Sequence, residues 1–172
     1  MKEIENSDEL ELKSKPPKFL LVLLILTWCN TGLAIISSLY TLMMGKPSVE
    51  EIKQSKVELA TSMNQMTEMK MHYFATLMQK IQYLTDAMYA NFIGFHLVSF
   101  SVAAIGCVAA FFMFQGKRLG FHVYIVYSLV YLSQTYLFVN PAFVPTEMLV
   151  INAFFAFIFI LMYSRNLTFM KK

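Results

Sequence analysis

Residues 63–72 read MNQMTEMKMH, and thioether sulfurs with an imidazole form the kind of soft ligand set that suits Cu(I). Met63, Met66, Met69 and His72 are therefore the candidate metal ligands. A regular helix works against them. Each three-residue step turns the face by about 60°, so Met63 can meet Met66, and Met66 can meet Met69, while Met71 points elsewhere. A three-sulfur site requires the helix to unwind or several chains to contribute. The competing reading is packing, because methionine adapts to irregular apolar contacts and Met63 and Met66 fall on an apolar seam. For His72 the bland reading is a surface pair with Glu68, one turn earlier.

A second group is polar and lies within oily surroundings: Asn30, His96, Tyr127, Tyr131, Gln134 and Asn152. An unpartnered amide in hydrocarbon costs several kcal/mol, so each must face protein or water. Asn30 lies eleven residues from the start of its apolar run and Asn152 eleven before Tyr163 at the end of its own, which predicts a shared depth. A hydrogen bond between them, worth on the order of 1 kcal/mol in a membrane bundle, is the expected outcome. Asn30, Ala34, Ser37 and Thr41 form one stripe, taken as the bundle-facing side. Tyr127 and Tyr131 are too deep to be interfacial anchors and need partners. His96 and Gln134 could form the mouth of a polar pathway, including a pore through a homo-oligomer. Interhelical hydrogen bonding is preferred, because the runs lack the ionisable groups that pumps place within them and no Gly/Pro-interrupted pair repeats in two halves.

These residues must be held by helices in lipid. With 57% hydrophobic and 15% charged residues, the 172-residue chain is too oily for an ordinary water-exposed surface. Its charges gather at the two ends, in a middle segment and at Gln115–Arg118. Four intervening runs are long enough to cross a hydrocarbon layer of roughly 30 Å as helices: residues 19–44, 91–114, 119–138 and 146–164. The first is not read as a signal peptide, since five acidic residues precede it and no small-residue cleavage site follows. Ser99, Ala103, Gly106 and Ala110 in the second run form a small-residue stripe that admits a neighbouring backbone.

Lys13, Lys15 and Lys18, then Lys117 and Arg118, then Arg165, Lys171 and Lys172 fall on one side of four spans, which predicts a cell-membrane protein with both termini cytoplasmic. The cytoplasmic parts are then residues 1–18, 115–118 and 165–172, and the outside parts residues 45–90 and 139–145. Asn166 of the sequon Asn166-Leu167-Thr168 would face the cytoplasm. Cys29 and Cys107 lie within spans, away from any outside disulfide.

The middle segment opens GKPSVEE, where Ser48 and Glu51 make a capping box and Glu50 adds charge to the first turn. No Gly or Pro follows until Gly94, which predicts one extracytoplasmic helix, continuous with the second span or bent at Asp86 or Asn91. Its association face holds Ile52, Leu59, Met63, Met66, Tyr73, Leu77 and Leu84, interrupted by Lys56, Lys70 and Lys80. A second line of Met71, Phe74, Met78, Ile81 and Met88 widens the apolar arc to about 160°. A face that wide suits more than one neighbour. Nothing in the run reads as a turn, so self-association is favoured over a hairpin or a helix lying flat on the bilayer.

Enzyme motifs are missing: no H-E-x-x-H, G-x-S-x-G, C-x-x-C or phosphate-binding glycine loop occurs, so no catalytic residue and no cofactor are assigned. The net charge of +3 reflects topology signals, which gives nucleic acid no basic patch. MNQMTEMKMH resembles the methionine-rich segments of copper-uptake proteins in spacing. Four spans with a large outside segment after the first are similar to the claudin-like arrangement, but the outside W-x-x-x-C…C signature is missing and nothing is carried over. The expectation is an all-α, four-helix integral membrane protein, with the bilayer and a second copy or another membrane protein as partners. Its expected role is that of a structural or accessory subunit; transport, Cu(I) binding or a homo-oligomeric pore is the alternative.

Overall fold

The computed structural model describes residues 16–170, and these form helices and turns with no strand. Six α-helices follow one another: α1 Lys18–Met44, α2 Val49–Glu68, α3 His72–Ala90, α4 Phe92–Phe114, α5 Arg118–Ser133 and α6 Thr146–Ser164. Single 3₁₀ turns, Gln134–Leu137 and Pro141–Phe143, link the last two. Three helices, α1, α4 and α6, are long and apolar enough to cross a membrane, with mean hydropathies of 2.3, 2.3 and 1.9. The residues before Pro16, expected to belong to a cytoplasmic tail, and Lys171 and Lys172 lie outside the described residues.

Helices α1, α4 and α5 pack into the tightest part of the bundle. Their core is Leu20, Leu23 and Leu24 from α1, Ala109, Ala110 and Met113 from α4, and Phe121, Tyr124 and Tyr127 from α5. The expected small-residue stripe does its work here. A Cβ on Gly106 would sit 2.8 Å from both Thr31 Cγ2 and Tyr127 Cε2, so one missing methyl lets two helices approach the same turn of α4. Gly120 does the same for α5, whose backbone lies against Ala109 and Met113. Close approach of this kind is how helices gain dispersion energy where lipid removes the hydrophobic drive.

Two expectations about α1 and the middle segment are overturned. The bundle-facing side of α1 is Leu20, Leu24, Thr27, Thr31 and Ser38, while Asn30, Ala34 and Ser37 are exposed. The middle segment is not one rod: it reverses at Met69–Met71 into an antiparallel hairpin, with Lys56 Nζ bonded to Asp86 Oδ1 at 2.8 Å across it. Of the two expectations for its junction with the second span, the bend at Asn91 is the one found, since that residue leaves helical geometry at φ −111°, ψ 36°. The break there is short, because Asn91 N–H still donates to Ala87 O and Phe95 N–H to Asn91 O.

The reversal has a definite local cause. Lys70 adopts φ +59°, Met71 N–H donates to Met66 O, and Lys70 N–H donates to Thr67 O. These are the two bonds of a Schellman stop, which satisfies the orphaned carbonyls at a helix end and turns the chain away. Gly116 ends α4 in the same way at φ +73°, with Lys117 N–H to Phe112 O and Gly116 N–H to Met113 O. At Gly116 the residue without a Cβ fits that left-handed position; at Lys70 the closed hairpin holds a side-chain-bearing residue there. Upstream, the capping box forms as expected, with Ser48 N–H donating to Glu51 Oε2 at 2.7 Å and Glu51 N–H to Ser48 Oγ at 3.2 Å.

In the folded chain Ile52, Leu59, Met63 and Met66 on α2 and Leu77 and Leu84 on α3 are half-buried, Leu84 beside Phe95 of α4; Tyr73 remains exposed. The seam expected to pair chains is thus partly covered within one chain. Helix α3 rests against the link between α5 and α6: the Tyr83 and Phe143 rings lie 4.6 Å apart, and Tyr73 Oη donates to Glu147 Oε1 at 2.7 Å.

The described part of the C-terminal segment, expected to be a simple tail, is instead built into the base of the bundle. Arg118 Nε donates to Met170 O at 2.7 Å, Met170 is fully buried, and Phe169 covers Gly116. The sequon residue Asn166 is buried, with its amide donating to Met162 O.

Candidate functional site

A cleft of 360 Å³ opens between α1, α5 and α6, part-way along the bundle. Asn30 from α1 and Asn152 from α6 both line it, as the shared-depth expectation requires. The expected bond between them does not form, and among the described residues neither amide has a hydrogen-bond partner. The reason is the splay of α6, which packs against α5 and touches α1 sparingly.

Tyrosines form the inner wall. Tyr124 and Tyr163 meet edge to face at 4.8 Å, Tyr127 lies 5.6 Å from Tyr124, and Tyr131 lies 6.1 Å from Tyr127. Tyr163 Oη and Thr27 Oγ1 share a hydrogen bond of 2.7 Å at the closed end, and Ser128 Oγ donates back to Tyr124 O. Tyr127 is buried, whereas Tyr131 is 39% exposed and faces the cleft. Phe155, Ala156 and Phe159 form the outer, apolar wall. No acidic or basic side chain lines this cleft. The residues that reading the sequence missed are Thr27 and Tyr163; the 27, 31, 38 spacing of buried hydroxyls along α1 was the available signal.

A second cavity, of 250 Å³, lies between α3, α4 and the α5–α6 link and is lined by Leu84, Met88, Phe95, Gln134 and Asn152 among others. Gln134 Oε1 is buried without a hydrogen-bond partner, as is Glu147 Oε2 nearby in the chain. His96 is not among the lining residues; its ring stands edge-on to Phe92 at 4.8 Å and Phe95 at 5.6 Å. A shared mouth of His96 and Gln134 is therefore not assembled within this chain.

The metal candidates are divided by the turn. Met63 and Met66 lie half-buried on the hairpin seam, Met69 is 66% exposed at the reversal, and His72 opens α3. No group of three His, Cys, Asp or Glu residues able to hold a metal occurs among the described residues. Glu68 and His72 now stand on opposite sides of the turn, and the ion pair among the described residues is Lys56–Asp86. Both cysteines are free, and Cys107 Sγ lies 3.0 Å from Thr31 Oγ1.

Outside the apolar helices, two groups titrate away from their ordinary range. The Ser48 backbone N–H, and then its hydroxyl, hold the Glu51 carboxyl below the usual value. Tyr73 is raised, first by its hydrogen bond to Glu147.

Compared with known proteins, the chain matches no family model, no curated relative and no solved structure.

Proposed function

We propose that this chain is a four-span membrane protein, with both termini cytoplasmic and the α2–α3 hairpin outside, that serves as an accessory or structural subunit through that hairpin. Helix α5 with its 3₁₀ extension rises about 32 Å, enough for a fourth crossing of a layer roughly 30 Å thick. Lys117, Arg118 and Arg165 stand at one end of the bundle, and the 139–145 link at the other has no Lys or Arg, which supports the orientation.

The observation that carries the docking role is the second apolar line of α3. With the hairpin closed, Met71, Phe74 and Ile81 remain 38%, 46% and 36% exposed, Ile81 at the edge of the groove between α2 and α3, and neither hairpin helix buries a single residue fully. Helices draw most of their stability from packing, so a hairpin of this kind gains by covering that line with another membrane protein or a second copy. The test is Met71→Glu with Phe74→Glu. The mass of the assembly extracted in mild detergent should fall while the bundle melts at an unchanged temperature; an unchanged mass refutes the role. Ser48→Cys should react with an impermeant maleimide from outside intact cells, and labelling only after lysis refutes the topology.

A second reading, Cu(I) capture, is favoured by one observation. A straight helix separates the thioethers, but the chain leaves helical geometry at Met69–Met71, the kind of unwinding that a shared site of Met63, Met66, Met69 and His72 requires. Competition with a Cu(I) chelator decides it: no copper retained at micromolar levels removes this reading.

A further inference from the structure

The cleft between α1, α5 and α6 has features that packing alone does not require. It places two carboxamides, Asn30 and Asn152, on facing walls with no protein partner among the described residues. On the four-span reading both lie near the middle of the apolar layer, where an amide without a partner is costly. Something must bond to them. The lining contains no charged group, so an ion would meet no countercharge there. Tyr127, Tyr131, Phe155 and Phe159 present aromatic side chains along the walls, a lining suited to flat rings. Helix α6 touches α1 only sparingly, and on the four-span reading a ligand reaches this depth from lipid.

We propose that this cleft binds a neutral, lipid-soluble ring compound bearing a carbonyl or hydroxyl oxygen, with Asn30 and Asn152 bonding to the oxygen and the aromatic walls holding the ring. The cleft volume of 360 Å³ falls within the range of small-molecule sites, about 300–1,000 Å³. Both amides can donate and accept, so they can serve a quinone carbonyl or a sterol hydroxyl equally. The two sources share this chemistry and are separated by experiment.

The full chain in phosphatidylcholine nanodiscs is titrated with decyl-benzoquinone in one arm and cholesterol in the other. Saturable binding of one molecule per chain in either arm is expected, and the arm that binds names the ligand class. Asn30→Leu and Asn152→Leu should each weaken it roughly ten-fold, the loss of a buried hydrogen bond. Ala156→Phe fills the cleft and should abolish binding while the protein still melts cooperatively. Saturation in neither arm overturns the proposal, whether water or a second copy occupies the cleft. Binding unchanged by Asn30→Leu, Asn152→Leu and Ala156→Phe overturns it too. The inference rests on the four-span reading, but labelling at residue 48 judges that reading and ligand titration judges this one, so the two fail separately.

Discussion

Thr27 Oγ1 and Tyr163 Oη lie 2.7 Å apart, although 136 positions separate them in the chain. This bond ties the first apolar helix to the last, beside the Tyr124 ring and below the Asn30–Asn152 cleft. Tyr163→Phe removes the phenol and leaves the buried Thr27 hydroxyl without that partner. The expected loss is about 0.5–1.5 kcal/mol, with Thr27→Val/Tyr163→Phe losing less than the two single changes added together. Reversible unfolding in mixed detergent micelles measures it; additive losses would show that the two groups are not coupled.

Gly106 and Gly32 make a matched pair. A Cβ at Gly106 meets Thr31 and Tyr127 at 2.8 Å, while at Gly32 it meets nothing within 4 Å. Gly106→Ala should therefore destabilise by about 1–3 kcal/mol through overpacking. Gly32→Ala should be neutral or slightly stabilising, since alanine is the better helix former. Equal melting temperatures for the two variants would contradict the close approach of α1, α4 and α5.

Lys70 occupies a backbone position that costs an L-residue about 1–2 kcal/mol. Lys70→Gly should relieve that cost and stabilise the hairpin by about 1 kcal/mol, as far as the looser unfolded chain allows. Lys70→Val, β-branched, should loosen it. Amide exchange across residues 60–82 reads the effect, and faster exchange in Lys70→Gly would argue for a continuous helix at this point.

Acid should fray the start of α2. Because the folded state lowers the Glu51 value, the cap contributes stability above the unfolded value and loses it as pH falls through the folded one. Exchange at residues 48–52 should therefore quicken below the ordinary carboxylate range. Glu51→Gln should remove most of that pH dependence; a variant with the same acid response would assign the effect to another carboxylate.

The parts read correctly from sequence are those decided locally. Ser48 and Glu51 specify a cap by type and spacing, and the Ser99–Ala110 stripe marks a place where backbones can meet, whatever meets there. Asn30 shows the limit of that reasoning: a polar side chain in an apolar run identifies a need for a partner, not the direction of the bundle, and the buried face of α1 is set by the shapes of Leu24, Thr27 and Thr31. The hairpin was illegible for a related reason. Periodicity showed that the seam from Ile52 to Leu84 required covering, but a seam does not state whether the cover comes from its own chain. Lys70 carries no turn signal by residue type, and its left-handed geometry belongs to the closed hairpin.

Helix α6 is held at both extremities. Its first turn is tethered through Glu147 to Tyr73 on α3, and its last through Tyr163 to Thr27, with Asn166 and Met170 locked beneath. Between those tethers stands the cleft at Asn152. A strut held at both ends opens most readily between them. Widening of the gap should thus be a bulge at the waist of α6, with its two fixed points staying where they are, and lateral pressure from the surrounding lipid should act as the spring that closes it.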